Sequence, residues 1–161
     1  LSPIQCMQPG LVMQLMAITE KYQVPVEQIH LEITEQSMVD YNLIEQQINR
    51  LQEKGFQFVM DDYGSGYSNL IRVKRYPFIN IKLDMEVVWD YFHERDNLIP
   101  TIVEGFRQMG LTITAEGIET EEMADALTAI GCEYLQGFWF DRPLPMDEFV
   151  RKYTAGRSEN R

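Results

Sequence analysis

The sequence has few cysteines and no long apolar run, and each absence excludes a class of protein. Its two cysteines in 161 residues, Cys6 and Cys132, lie far apart and form no Cys-x-x-Cys pair. This argues against a disulfide framework or a zinc site and predicts buried, reduced thiols of an intracellular protein. No apolar run approaches the roughly 20 residues that span a bilayer, and no signal peptide is visible. We therefore predict a cytoplasmic location and no membrane segment in this chain.

Positive charge is also scarce. The chain has 14 Lys and Arg residues against 25 Asp and Glu residues, which gives a net charge of −11. Because no stripe of basic residues is present, we expect no DNA or RNA polymer as a partner. A small phosphate substrate held through metal ions remains compatible with this charge. The length and the 45% hydrophobic content are those of one globular domain with a sizeable core.

Strand and helix patterns alternate along the whole chain. The predicted strands are 29–33, 58–60, 78–83, 111–115 and 132–138. Helical spacing predicts helices at 11–22, 41–51, 70–75, 86–92, 98–109, 121–130 and 146–153. The first ten residues are expected to be irregular, and the tail 154–161 to be frayed. This alternation predicts an α/β fold of about five βα units in a single domain, 1–161.

The central stretch of the sequence is the segment 58–70, FVMDDYGSGYSNL. An apolar strand is followed by two adjacent carboxylates, Asp61 and Asp62, and then by a loop containing Gly64 and Gly66. Neighbouring carboxylates repel each other, so a buried pair needs a cation or a shared proton. Taken alone, the pair is more typical of a solvated Asp-Asp turn than of a site.

The other predicted strands favour a site, because each also ends in a polar side chain. Parallel strands joined by right-handed crossovers bring their C-terminal ends to one face, where these side chains would meet. In chain order they are Glu32, Asp61 with Asp62, Lys82 with Asp84, Glu116 and Gln136.

The chemistry of this residue set favours hard metal ions. Glu32, Asp61, Asp62 and Glu116 offer carboxylate oxygens, which suit Mg²⁺ or Mn²⁺. Four carboxylates exceed what one Mg²⁺ usually takes, so two ions are plausible, as in enzymes that attack phosphorus. Lys82 has two open interpretations: it activates the attacking water or neutralises phosphoryl charge, or it forms a salt bridge with Asp84 or Asp62. Gln136 could hold a substrate phosphate or base.

Five segments resemble the motifs of EAL-type cyclic-di-GMP phosphodiesterases, in order and through nearly the whole chain. They are LEITEQ (31–36), DDYGSGYSNL (61–70), IKLD (81–84), AEGIET (115–120) and LQGFWFDRPLP (135–145). The resemblance implies a (β/α)₈ TIM-type barrel that binds two Mg²⁺ or Mn²⁺ ions and cyclic di-GMP. It further implies hydrolysis of one phosphodiester to give linear pGpG.

The resemblance also implies roles for individual residues. Metal-ligand positions match Glu32, Asp61, Asp62 and Glu116. The catalytic set would be Lys82, which helps to activate the water, with Asp62, Glu116 and Gln136. Glu35 matches a glutamate that braces the glycine loop through a hydroxyl, here Ser68. Glu119 matches a second glutamate close to the site, and Asp84 is also expected near it.

One departure from the family pattern is large. The signature Glu-Ala-Leu strand and the asparagine expected just before Leu1 are absent from this sequence. A complete barrel takes about 250 residues, so we expect this chain to form only the later units of a barrel. We expect this part to be inactive alone and to belong to an active parent protein. Its open edge strands would be covered by a second copy, making a homodimer, by rearranged termini or by the helix 146–153.

Two competing interpretations remain. The first is a barrel that senses cyclic di-GMP or a protein partner without hydrolysing the nucleotide. The second is a flavodoxin-like, receiver-type fold, which five βα units with an acidic pair and a lysine also fit. In that fold Asp84 would have to be the phosphoacceptor, although it follows the lysine instead of preceding it.

Overall fold

The structure is a computed structural model that describes residues 1–6, 8–34, 41–66 and 70–154. It shows an α/β fold in which strands and helices alternate as the sequence predicts. The strands are β1 (His30–Thr34), β2 (Gln57–Tyr63), β3 (Phe78–Leu83), β4 (Thr112–Ala115) and β5 (Tyr134–Leu135). The helices are α1 (Pro3–Cys6), α2 (Leu11–Tyr22), α3 (Tyr41–Gln52), α4 (Leu70–Arg75), α5 (Met85–Glu94), α6 (Leu98–Gln108), α7 (Glu121–Ala129) and α8 (Met146–Thr154).

The five strands form one sheet in sequential order, and every neighbouring pair is parallel. This order is that of consecutive barrel units, with β1 and β5 at the two edges of the described sheet. It contradicts the flavodoxin-like alternative, because that fold places its strands in the order 2-1-3-4-5.

The two faces of the sheet differ in character, because successive side chains along a strand point to opposite sides. One face is apolar and is buried in the core formed with the helices. Its strand residues are Leu31, Ile33, Phe58, Met60, Ile81, Leu83, Ile113 and Ala115. The opposite face, here called the inner face, carries polar side chains such as Glu32, Lys82 and Thr114 together with apolar Val59. The core therefore fixes the sheet while leaving the inner face for the site.

Both cysteines are free and buried, as predicted from their spacing. Burial raises the pKa of the Cys132 thiol to about 12 and also raises that of Cys6. Both thiols therefore stay protonated at neutral pH and behave as small apolar core residues.

The start of the chain differs from the prediction, because residues 3–6 form a short helix where an irregular segment was expected. The backbone N–H of Gln5 donates to the Ser2 hydroxyl, and the backbone N–H of Ser2 donates to the Gln5 side chain. This reciprocal pair of hydrogen bonds is a capping box. Pro3 occupies the first helical position, where a backbone N–H would have no partner within the helix, so its missing N–H costs nothing. The Ser-Pro-x-Gln sequence was the missed signal.

Two strand boundaries were also predicted wrongly. β2 does not end before the acidic pair but continues through both residues to Tyr63. β5 has two residues, whereas a strand over 132–138 was expected. Beyond Gln136 the chain turns: the N–H of Trp139 donates to the Ile118 carbonyl and that of Phe140 to the Gly137 carbonyl. A Cβ atom on Gly137 would lie 2.1 Å from the Ile118 oxygen, so this close approach requires glycine.

The first described residue contacts the edge strand β1, and the last described helix, α8, contacts the segment that follows β5. The amino group of Leu1 donates to the Glu32 carbonyl of β1. All residues of α8 are exposed, and Lys152 and Tyr153 both bind Asp141 in the segment that follows β5. Within the described ranges, no helix has the length and apolar character needed to cross a membrane.

Candidate active site

The inner face combines polar side chains, mainly from β1, β3 and β4, with apolar ones such as Val59 and Leu135. It forms a shallow pocket whose lining includes Glu32 from β1, Lys82 from β3, Thr114 from β4 and Gln136 just after β5. The parallel register places these residues near the C-terminal ends of their strands; Lys82, for example, pairs with Thr114. Three of the predicted strand-end residues, Glu32, Lys82 and Gln136, thus line one surface. Asp61 from β2 and Glu116 after β4 reach the same surface through their contacts with Lys82.

Lys82 lies at the centre of this surface and binds three carboxylates. Its Nζ atom is 2.7 Å from Glu116 Oε1, 2.8 Å from Asp61 Oδ1 and 3.2 Å from Glu32 Oε1. Its side chain is 11% exposed. The salt-bridge interpretation of Lys82 named Asp84 or Asp62 as its partner, and the structure corrects it: the partners are acidic residues from β1, β2 and the end of β4.

Asp61, Asp62 and Glu116 form the candidate metal centre, here called the carboxylate trio. One oxygen of each lies within 4.8 Å of the corresponding oxygen of the other two. Adjacent residues in a regular strand point to opposite faces, so Asp61 and Asp62 could not both contribute without a distortion. Asp62 has a φ of 55°, and the pairing of β2 with β3 shifts register between Met60 and Tyr63. This bulge is what directs two consecutive carboxylates toward one point.

Asp62 adopts a backbone conformation that L residues rarely occupy. Aspartate is among the non-glycine residues that tolerate it best, at a cost of order 1–3 kcal/mol. Two polar contacts hold the turn: the N–H of Ser65 and its hydroxyl both donate to the Asp62 carbonyl. Backbone strain at a cluster of like charges is typical of functional sites, where position matters more than stability.

The electrostatics of the site show an excess of negative charge. Burial raises the pKa of Asp62, and the nearby carboxylates of Asp61 and Asp84 raise it further. Burial also raises the pKa of Glu116, although hydrogen-bonded Lys82 opposes the change. For Lys82, burial alone would lower the pKa, but hydrogen bonds to Asp61 and Glu116 outweigh it, so its pKa lies above the ordinary value. Lys82 is therefore a permanent cation that only partly compensates its neighbours.

The sequence profile of the EAL domain matches residues 1–143. The chain belongs to the EAL domain family. Curated relatives of this EAL domain include the cyclic di-GMP phosphodiesterase RocR of Pseudomonas aeruginosa, 30% identical over 157 residues, which cover 96% of the chain and 40% of RocR. A protein of Synechocystis is 35% identical over 97% of the chain and 23% of its own length. The chain thus spans less than half of these relatives.

Solved structures agree with this assignment. The EAL domain superposes on a P. aeruginosa MucR phosphodiesterase in complex with cyclic di-GMP with a TM-score of 0.84 and 33% identity, covering 92% of the chain and 62% of that structure. Klebsiella pneumoniae BlrP1, in a complex with manganese and cyclic di-GMP, gives a TM-score of 0.83 and 29% identity over 89% of the chain and 37% of that structure. The five described strands therefore correspond to part of a TIM-like fold.

The remaining predicted site residues differ in how closely they approach the trio. Asp84 caps α5, since its Oδ1 accepts the N–H of Glu86 at 2.8 Å, and it is near enough to raise the pKa of Asp62. Glu119 is exposed in the loop that follows Glu116. Glu35 and Ser68, the predicted brace of the glycine loop, lie outside the described residues.

Sequence reasoning missed a polar network on the inner face of the EAL domain, which joins Asn80, two residues before Lys82, to β4. The amide of Asn80 donates to the Thr112 hydroxyl at 2.9 Å and accepts from the Thr114 hydroxyl at 3.0 Å. Asn80 is 6% exposed, and these bonds satisfy both ends of its amide. The signal was the alternation Asn80–Lys82 and Thr112–Thr114 on strands whose other face is apolar.

Proposed function

We propose that the full-length protein that carries this EAL domain hydrolyses cyclic di-GMP to linear pGpG with Mg²⁺ or Mn²⁺ at the carboxylate trio. The main support is the geometry: Asp61, Asp62 and Glu116 converge within 4.8 Å beside protonated Lys82. RocR is a cyclic di-GMP phosphodiesterase, and MucR and BlrP1 have been solved with cyclic di-GMP bound, which supports the choice of substrate.

The donor atoms suit the proposed ions. The trio contains only carboxylates, the ligands that hard divalent cations prefer. Glu32, bound to the same lysine, provides a fourth. Four carboxylates and one ammonium group leave three negative charges, which two divalent ions would more than offset, giving a net positive site for a phosphate. When bound, such ions polarise the phosphoryl group and lower the pKa of a bound water. Manganese in BlrP1 supports this choice over softer metals.

Each residue then has a specific task. Glu32, Asp61, Asp62 and Glu116 would hold the ions. Lys82 stays protonated, so it cannot accept the proton of the attacking water; it would orient that water or stabilise the charge that develops on phosphoryl oxygen. Its three carboxylate contacts fix the position of its ammonium group. Gln136, on the same surface, would hydrogen-bond a substrate phosphate or base.

Other parts of the proposal extend beyond these contacts. Glu35 with Ser68 remains the proposed brace of the glycine loop, and Glu119 and Asp84 the proposed neighbours of the site. We further propose action in the cytoplasm on a small nucleotide, without binding of DNA or RNA polymers. The net charge of −11 supports the absence of polymer binding. Pairing of an edge strand with a second copy would give a homodimer.

Metal removal tests the proposed reaction. Purified full-length protein is expected to convert cyclic di-GMP to pGpG with Mn²⁺ or Mg²⁺, to lose this activity with EDTA and to regain it when Mn²⁺ is returned. Ion-exchange chromatography of the nucleotides measures both species. Binding of cyclic di-GMP without formation of pGpG under any of these conditions would contradict the proposal and favour a non-catalytic sensing domain.

A further inference from the structure

Helix α5 contacts both segments that carry the carboxylate trio, the end of β2 and the loop after β4. It follows β3 directly, and its first residues contact the loop after Asp62. The N–H of Asp84 donates to the Tyr63 carbonyl at 3.1 Å, while the Asp84 side chain caps the helix. The start of α5 is therefore fixed to the residue that immediately follows the acidic pair.

A second contact tightens this connection one residue further along the loop. Gly64 has a φ of 98°, and a Cβ atom added to it would lie 2.4 Å from a methyl group of Val87 in α5. A real side chain could not fit there without displacing the helix or the loop. The turn that positions Asp61 and Asp62 thus packs directly against α5.

On its other side α5 holds the loop that begins with Glu116. The indole N–H of Trp89 donates to the Gly117 carbonyl at 2.8 Å. Gly117 has a φ of 72°, and a Cβ atom there would lie 2.5 Å from Met85 Cβ. The N–H of Glu116 itself donates to the Leu83 carbonyl of β3 at 3.2 Å. The backbone is therefore held on both sides of the Glu116 side chain, by β3 before it and by Trp89 after it.

The geometry points to Trp89 as a positioning residue of the metal centre: its indole N–H fixes the Gly117 carbonyl, one residue beyond Glu116, and so keeps the Glu116 carboxylate aligned with Asp61 and Asp62. This inference rests on the proposed function, because it assumes that the trio binds metal. Residues 116–120 have no regular secondary structure, so the orientation of Glu116 depends on single contacts. These are the bond from its own N–H to Leu83, the bond from the Ile118 N–H to Gln136 and the bond from Trp89 to Gly117. Mutation of a group that orients a metal ligand typically lowers metal affinity by roughly 10- to 100-fold.

The structure distinguishes this role from simple packing. Trp89 is partly buried and packs against the core, a contribution that a phenylalanine ring would largely keep. The hydrogen bond to Gly117 is what phenylalanine would lose. A packing role predicts a change in unfolding temperature alone, whereas a positioning role predicts weaker metal binding by molecules that remain fully folded.

The test is Mn²⁺ affinity, measured by isothermal titration calorimetry on the full-length protein at a temperature where each variant is folded. Trp89→Phe is expected to bind Mn²⁺ about tenfold more weakly than the wild type. Trp139→Phe, the same substitution at the other tryptophan of this chain, is the matched control and should keep wild-type affinity. Site-specific replacement of Trp89 with 3-benzothienylalanine exchanges the indole N–H for a sulfur atom while keeping a bicyclic ring, and it should weaken binding similarly.

Glu116→Gln separates the two claims. If it lowers Mn²⁺ affinity while both Trp89 variants bind as the wild type does, the positioning role is wrong and the proposed function stands. If Glu116→Gln itself binds Mn²⁺ with wild-type affinity, the metal site is wrong and the inference falls with it. Weaker binding by Glu116→Gln and by the folded Trp89 variants supports both.

Discussion

Asp61→Asn is expected to remove most hydrolysis of cyclic di-GMP by the full-length protein while leaving its fold intact. Asp61 belongs to the carboxylate trio and also binds Lys82 at 2.8 Å, so an amide there would remove a proposed metal ligand and one of the three ion pairs of Lys82. Metal ions at a phosphoryl centre supply several kcal/mol of transition-state stabilisation, so the rate should fall by about three orders of magnitude. Steady-state kinetics at saturating Mn²⁺ measures the loss.

The same change separates function from stability. Because Asp61 is one of the charges that raise the pKa of Asp62, replacing it with neutral asparagine relieves repulsion at neutral pH. The metal-free variant should therefore unfold at a temperature close to that of the wild type. Asp147→Asn, an exposed change in α8, is the matched control and should retain full activity. Near-normal turnover by folded Asp61→Asn would show that Asp61 does not serve the reaction.

Lys82→Met is the second change with a large expected effect, and it should impair both activity and stability. It removes the cation at the centre of the site and leaves Glu32, Asp61 and Glu116 without their shared partner. Removing one member of a buried ion pair costs about 3–5 kcal/mol, and the partial exposure of these carboxylates should keep the cost toward or below the lower figure. Chemical unfolding of metal-free protein measures it.

The sign of the stability effect follows from the pKa of Lys82. The pKa of Lys82 is higher in the folded protein than in the unfolded chain. The ion pairs of Lys82 therefore stabilise the fold fully at pH values below its unfolded pKa, and this stabilisation is lost as the pH rises through its folded pKa. Lys82→Met should therefore be destabilised throughout the neutral range, and Mn²⁺ should restore part of the loss by neutralising the carboxylates. Lys54→Met, at an exposed position, is the control. Unchanged stability and turnover in Lys82→Met would contradict a central role.

Much of the site could be predicted because parallel strands impose a simple rule. Glu32 lies within the short strand β1, Lys82 near the end of β3 and Glu116 just beyond β4. Crossover topology brings the C-terminal halves of such parallel strands to one side of the sheet. The spacing of apolar residues also predicted the positions of helices α2 to α7 closely, because each helix had to bury one apolar face.

The details of the site depended on backbone geometry that no periodicity encodes. The alternation rule would have separated Asp61 and Asp62, and only the positive φ of Asp62 brings them together. The contact of Trp89 with Gly117 joins residues 28 positions apart in the sequence, through a loop with no repeating pattern. Likewise, the three partners of Lys82 depend on the exact register of four strands. The sequence pattern alone predicted Asp84 or Asp62 as its partner.

Crystallography of the full-length protein with Mn²⁺, using anomalous scattering from manganese, tests the central claim most directly. Our account predicts an anomalous peak directly coordinated by Asp61, Asp62 and Glu116, with a second ion within about 4 Å of the first. Lys82 should remain beside the cluster. Absence of any peak at the trio in crystals soaked at saturating Mn²⁺, with its carboxylates still bound only to Lys82, would contradict the assignment of this site as a metal centre.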